Sequence, residues 1–244
     1  MKTEQTIRVL LVDDHSIVRA GLRALLETTP DIEVIGEAEN GQQAVLETKR
    51  LQPDVVLLDL AMPLLNGLEA ARQIARDVPA ARVLILSSYS DEEHVRQAVE
   101  AGVAGYLMKE AAGGDLLEAV RRTRNGEACF SPPLLSPLHK TSRKGPGENP
   151  GDPIRNASVH GRQAEVLQLI AEGYGTKQIA SVLSISAKTV GRHRETLMAQ
   201  LDIHKVASLT RYAVSSGVVE SNLRPNWPAR QERRQARKKK ALML

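Results

Sequence analysis

Between residue 7 and about residue 126, short apolar runs alternate with longer amphipathic stretches. The runs at residues 7–12, 34–38, 55–58, 83–86 and 105–108 predict five strands. The stretches near 17–27, 42–50, 68–76, 92–100 and 116–124 carry apolar residues at helical spacing and predict five helices. Alternation of this kind builds a parallel sheet covered by helices on both faces. The uninterrupted runs VVLL and VLIL suit strands buried on two sides.

The pattern stops at residues 131–156, which hold six of the twelve prolines together with scattered Gly, Ser and Lys, and this composition predicts a linker. A second periodic region follows from about residue 160 to 219, without β-rich runs. It predicts four helices, near 160–172, 176–183, 187–201 and 205–215. The organisation expected is an α/β domain at 1–130, a flexible linker at 131–156, a smaller all-α domain at 157–220, and a basic disordered tail at 221–244.

Composition narrows the class. At 42% hydrophobic residues the chain can build cores, but its apolar runs are strand-length, well short of the roughly 18 residues that cross a bilayer. The N-terminal MKTEQTIRVL lacks the apolar middle of a secretory signal, so a cytoplasmic location is expected. A single cysteine, Cys129, leaves no internal disulfide and no multi-cysteine zinc site; it reads as a small buried hydrophobe. Charge divides by segment: 14 basic against 21 acidic residues in 1–130, 11 against 7 in 131–220, and 8 against 1 in 221–244. The basic C-terminal part suits a polyanion such as nucleic acid, although a solvated basic surface has the same composition.

In a doubly wound sheet, ligands bind beyond the carboxyl ends of the strands. There the sequence is polar: Asp13 and Asp14 follow the first strand, Asp59 ends the third, Ser87 and Ser88 the fourth, and Lys109 comes just after the fifth. Converging carboxylates repel one another unless a cation is present, and hard oxygens suit a magnesium ion. With magnesium bound, Asp59 could attack a phosphoryl group, Lys109 would supply a cation, and the Ser87 hydroxyl would bond a phosphoryl oxygen. Each feature has a plainer use: an Asp pair caps a helix, a lysine is a loop charge, and serines after strands are common. Their coincidence at one edge, in this order, favours the chemistry.

The segments VLLVDDH, DVVLLDLAMP with NGLEA, VLILSSY and AGVAGYLMKE resemble the receiver domains of response regulators, and the likeness covers residues 7 to about 126. The resemblance implies a flavodoxin-like five-stranded parallel sheet. It also implies that Asp59 is the phosphoacceptor, that Asp13, Asp14 and Asp59 hold Mg2+, and that Lys109 contacts the phosphoryl group. Ser87 would be the switch hydroxyl and Tyr106 the switch aromatic, moving inward as a new dianion at Asp59 draws Ser87 in. The implied phosphodonor is a sensor histidine kinase, which makes the chain a substrate rather than a turnover enzyme. One departure is the loop AMPLLNG, where similar proteins more often place a glycine after the Met-Pro.

The segment VLQLIAEGYGTKQIASVLSISAKTVGRHRETLMAQLDI reads as a helix-turn-helix. Gly173 suits the left-handed position after a helix, Thr176 can cap the next, and Ser186 can cap the one after that. Ile179, Ala180 and Leu183 form one apolar face; Val190, Leu197 and Leu201 form a core stripe, with Lys188, Arg192 and Glu195 opposite. A cationic face on the second helix is what major-groove docking requires. Residues 159 to about 219, through EVLQLIAEG, KQIA and ISAKTV, are similar to the LuxR-type DNA-binding domain, and the pair of resemblances matches the NarL/FixJ family. That likeness implies double-stranded DNA contacts at Thr176, Lys177, Lys188, Thr189, Arg192, His193 and Arg194, and dimerisation through the last helix. An intact acceptor site joined to a DNA-binding motif across a flexible linker leads to the expectation of an inhibited, largely monomeric unmodified form that becomes a homodimer when phosphorylated. Three departures are the opening SVHGRQAE, Gly191 at a position where a charge is common, and Glu195 near the groove.

Other classes fit less well. A phosphohydrolase acting through an aspartyl phosphate would want a carboxylate two residues after Asp59, where Ala61 stands. No GxxxxGK[ST] loop is present for ATP, and six aromatic residues are few for an apolar ligand pocket.

Overall fold

The computed structural model describes residues 6–89, 92–110, 113–130 and 159–219; the expected linker and basic tail lie outside the described residues. Two compact units divide between Glu165 and Val166. In the first, β1 (Ile7–Val12), α1 (Ser16–Leu26), β2 (Ile32–Ala38), α2 (Gly41–Leu51), β3 (Val55–Asp59), α3 (Gly67–Asp77), β4 (Arg82–Ser87), α4 (Glu92–Glu100), β5 (Gly105–Met108), α5 (Gly113–Arg124) and β6 (Cys129–Phe130) follow in order. The helical region comprises α6 (Arg162–Ala171), α7 (Thr176–Val182), α8 (Ala187–Gln200) and α9 (Val206–Ser215).

The sheet is parallel, in the order β2-β1-β3-β4-β5-β6. Strand order reverses at β1 and β3, which opens a crevice at their carboxyl ends. The expectation of five strands is corrected to six: Cys129 and Phe130 pair with Gly105 and Tyr106. A two-residue strand has no room for a hydrophobic period, and only its pairing with β5 reveals it. β2 also begins earlier than its apolar run suggests, because Ile32 is buried opposite Ile7 while Glu33 between the apolar residues faces water.

Alternate residues of the central strands feed two cores. Leu10, Val12, Val56, Leu58, Val83 and Ile85 pack with Ala44, Ala71, Ile74, Val95 and Ala98. Val9, Leu11, Val55, Leu57, Leu84 and Leu86 pack with Leu26, Leu116, Ala119 and Val120. The period of two along each strand explains why VVLL and VLIL carry no polar position.

The β3–α3 loop contains a strained residue. Leu64 has φ 69°, in the left-handed region where a Cβ costs about 1–2 kcal/mol. This is the position at which AMPLLNG departs from the receiver pattern by lacking glycine. Leu64→Gly is expected to raise stability by about 1 kcal/mol, the relief of strain being partly offset by a more flexible unfolded chain; equal or lower stability in urea denaturation would count against the strain. Gly67, by contrast, is required: a Cβ there would lie 2.1 Å from the Asp59 carbonyl oxygen, so α3 starts directly against the backbone of the site.

Candidate functional site

At the carboxyl edge of the sheet the structure brings together Asp13, Asp14, Asp59, Ser87 and Lys109. Asp13 and Asp59 are buried, at 2% and 5% exposure. Lys109 Nζ lies 2.8 Å from Asp13 Oδ2 and 2.9 Å from Asp59 Oδ2, bridging the two carboxylates. The lysine is placed by its own backbone, whose N–H donates to the Ser87 carbonyl at 2.9 Å and so continues the β4–β5 ladder. Asp59 Oδ1 accepts the Leu60 N–H at 2.8 Å, and Asp13 Oδ1 accepts the His15 N–H at 2.8 Å.

Burial governs the electrostatics. It pushes the Asp59 carboxyl up to about 6 against the opposing pull of Lys109, and Asp13 adds to the rise. Burial also raises Asp14, with His15 opposing. For Lys109 burial acts against the charge, but Asp59 and Asp13 outweigh it and hold the ammonium above its usual range.

Ligand atoms of Asp13, Asp14, His15 and Asp59 all lie within 4.8 Å of one another. Asp14 Oδ1 is buried and accepts no hydrogen bond, with His15 Nδ1 2.8 Å away as its nearest charge partner when protonated. Three carboxylates, one of them with a buried oxygen that accepts no hydrogen bond, fit a hard divalent cation, so the residues present suit magnesium. His15 is an addition to the expected set; its position directly after the Asp pair was the available signal.

Ser87 is buried, and its Oγ accepts the Tyr89 N–H at 3.0 Å. Tyr106 is fully buried, with its hydroxyl donating to the Tyr89 carbonyl at 2.7 Å. The structure therefore holds Tyr106 in the inward position, where the sequence reading has it arrive only on modification; the Tyr89 carbonyl supplies the partner that a buried phenol needs.

In the helical unit Gly173 takes φ 89° one residue beyond Glu172, which follows the end of α6, as expected of a left-handed cap. The capping assignment of Thr176 is corrected. Gly175 is the N-cap of α7, and Gln178 Oε1 reaches back to accept its N–H at 2.9 Å, leaving Thr176 as the first helical residue. Ser186 does cap α8, its Oγ accepting the Thr189 N–H at 3.0 Å. Ile179, Leu183, Val190, Leu197 and Leu201 are buried, whereas Ala180 is half-buried. Lys177, Lys188, Arg192 and Glu195 are exposed; Thr176, Thr189, His193 and Arg194 are half-buried. Lys188 and Arg192 of α8 thus lie opposite its apolar stripe.

Gly191 sits in mid-helix with open space where a Cβ would point. Gly191→Ala should therefore stabilise the helical unit by about 1 kcal/mol. A thermal midpoint that falls would show that the glycine serves the packing after all.

The comparisons agree with this architecture. The response regulator receiver domain family matches residues 9–121, and the luxR family of bacterial regulatory proteins matches residues 160–213. The response regulator protein VraR of Staphylococcus aureus is 35% identical over 219 residues, spanning 88% of this chain and 100% of that protein. A LuxR-family two-component response regulator from Aurantimonas sp. superposes with a TM-score of 0.54 at 34% identity, covering 57% of this chain and 100% of that one. A structure of two RcsB dimers bound to two parallel DNAs has a TM-score of 0.54 at 26% identity, covering 87% of this chain and 99% of that one. These are transcription regulators rather than enzymes, and no helix among the described residues is long and apolar enough to cross a membrane. With a receiver domain followed by a LuxR-type DNA-binding domain, this chain belongs to the NarL/LuxR family of response regulators.

Proposed function

We propose that Asp59 accepts a phosphoryl group from a sensor histidine kinase, and that the modified protein regulates transcription in the cytoplasm as a DNA-bound homodimer. The observation that carries the first part is the Lys109 ammonium seated between the buried carboxylates of Asp13 and Asp59. In-line attack by an Asp59 carboxylate oxygen on the phosphorus of a phosphohistidine forms the O–P bond as the N–P bond breaks. The imidazole leaves with the electron pair and takes up a proton. Lys109 then exchanges its ion pair with Asp59 for one with a phosphoryl oxygen, and the Ser87 hydroxyl turns from the Tyr89 N–H to donate to another. Asp13, Asp14 and Asp59 would hold Mg2+, which when bound offsets negative charge on the phosphoryl oxygens.

For the second part, Thr176, Lys177, Lys188, Thr189, Arg192, His193 and Arg194 are assigned to DNA. The exposed cations at 177, 188 and 192 support that assignment, as does the dimeric, DNA-bound state of RcsB. The domain limits adopted are 1–130 for the receiver, 131–156 for a linker, 157–220 for the DNA-binding domain and 221–244 for the tail. Intact-mass analysis after incubation with acetyl phosphate and magnesium tests the chemistry. A single phosphoryl adduct is expected on the wild type and none on Asp59→Asn; a wild type without an adduct overturns the reading.

A further inference from the structure

Asp13 and Asp14 sit on a short connection between β1 and α1, so the direction of the peptide joining them decides where the Asp14 carboxylate points. At its start, both backbone groups of Asp13 are held. The Asp13 N–H donates to the Ala38 carbonyl at 3.2 Å. The Asp13 carbonyl is held by a side chain, Arg19, whose Nη1 donates to it at 2.6 Å.

Arg19 lies within α1 and is only 8% exposed, unusual for a guanidinium on a helix whose other face meets water. Two further donors reach the end of β2 and the residue that follows: Nε bonds Glu37 Oε2 at 3.1 Å, and Nη2 bonds Glu39 Oε1 at 3.2 Å. Glu37 is fixed in turn by Arg23 Nε at 2.7 Å, and Arg23 also pairs with Glu27 at 2.9 Å. A planar fork carrying five donors is the group that can serve a carbonyl and two carboxylates at once; an ammonium has no such geometry.

From this arrangement we propose that Arg19 is a positioning residue for the divalent cation: by clamping the Asp13 carbonyl to Glu37 and Glu39, it fixes the peptide that aims Asp14. The inference rests on the reading of the acidic cluster as a magnesium-dependent phosphoacceptor site. Arg19 touches neither a phosphoryl group nor a ligand oxygen of the cluster; it acts through the backbone that carries them. Loss of partners that orient metal ligands typically weakens metal binding about 10- to 100-fold.

The test is a magnesium titration of the full chain by calorimetry without phosphodonor, together with the magnesium dependence of the acetyl phosphate reaction. Arg19→Met should raise the magnesium dissociation constant at least about tenfold and move the half-saturating concentration equally, while the maximal rate at saturating magnesium is retained. Arg19→Lys, which keeps one charged donor for a single partner, serves if the methionine variant does not fold, and it too should weaken magnesium. Arg121→Met is the control: it breaks a two-point pair with Asp31, at 2.7 and 3.0 Å, that involves none of the cluster residues, and it should leave magnesium affinity unchanged. Wild-type affinity in a folded Arg19 variant, or an equal loss in the Arg121 control, overturns the inference alone. A wild type that neither binds magnesium nor forms the adduct overturns the underlying reading instead.

Discussion

Lys109→Met is expected to destabilise the magnesium-free protein by about 3 kcal/mol near neutral pH, as the loss of one partner from a buried ion pair commonly does. The variant leaves Asp13 and Asp59, at 2% and 5% exposure, without the ammonium that now touches both. The pH dependence has a definite sign. The folded-state value of Asp59 already stands at about 6 against an ordinary 3.8, and removing Lys109 takes away the main opposing influence and raises it further. A carboxyl raised by folding contributes stability that is fully present below its unfolded value and lost as pH rises through the folded one. The deficit of the variant should therefore be small near pH 4 and grow from about pH 5 to pH 8. Millimolar magnesium, restoring positive charge to the cluster, should recover part of it. Urea denaturation at several pH values, with and without magnesium, measures this directly. A deficit that ignored both pH and magnesium would mean that Lys109 contributes through the packing of its methylenes.

Leu197→Ala is expected to cost about 3 kcal/mol or more within the helical unit, because truncating a fully buried leucine loses transfer energy and leaves a cavity. Leu197 is 0% exposed, and Val166, Leu167, Ile179, Val190, Leu201 and Leu209 of the same unit are also buried. A core from four short helices has little reserve, since small domains bury a smaller fraction of their surface and are marginally stable. The variant should lower the thermal transition of this unit and weaken binding to duplex DNA, yet still form the phosphoryl adduct at Asp59. Disappearance of the adduct along with DNA binding would show that the two units do not hold their structure independently.

Much of this protein is legible in its order of residues. The uninterrupted apolar runs VVLL and VLIL and the helical spacing between them are local signals, and they suffice for a doubly wound parallel sheet. That topology puts Asp13, Asp14, Asp59, Ser87 and Lys109 at one edge before any coordinate is known, because each follows a strand that runs the same way. Ser186 as a cap and Gly173 as a left-handed terminator were likewise readable, each depending on its own side chain and a few neighbours.

Other features needed the folded chain. The sixth strand is defined by pairing with Gly105 and Tyr106, not by a pattern of its own. Whether Thr176 or Gly175 caps α7 turned on a single residue of phase, settled by the reach of Gln178. The strain at Leu64 appears only as a dihedral angle, and the inward Tyr106 depends on a carbonyl 17 residues away. Arg19 looks like a polar residue on an amphipathic helix until the end of β2 and the residue after it bring Glu37 and Glu39 to it. By itself the sequence determined which groups gather at the carboxyl edge and which helix carries the cations. Tertiary structure alone decided that Lys109 meets Asp13 across 96 positions and that burial lifts Asp59 to about 6, because both depend on strand register and on water excluded by distant segments.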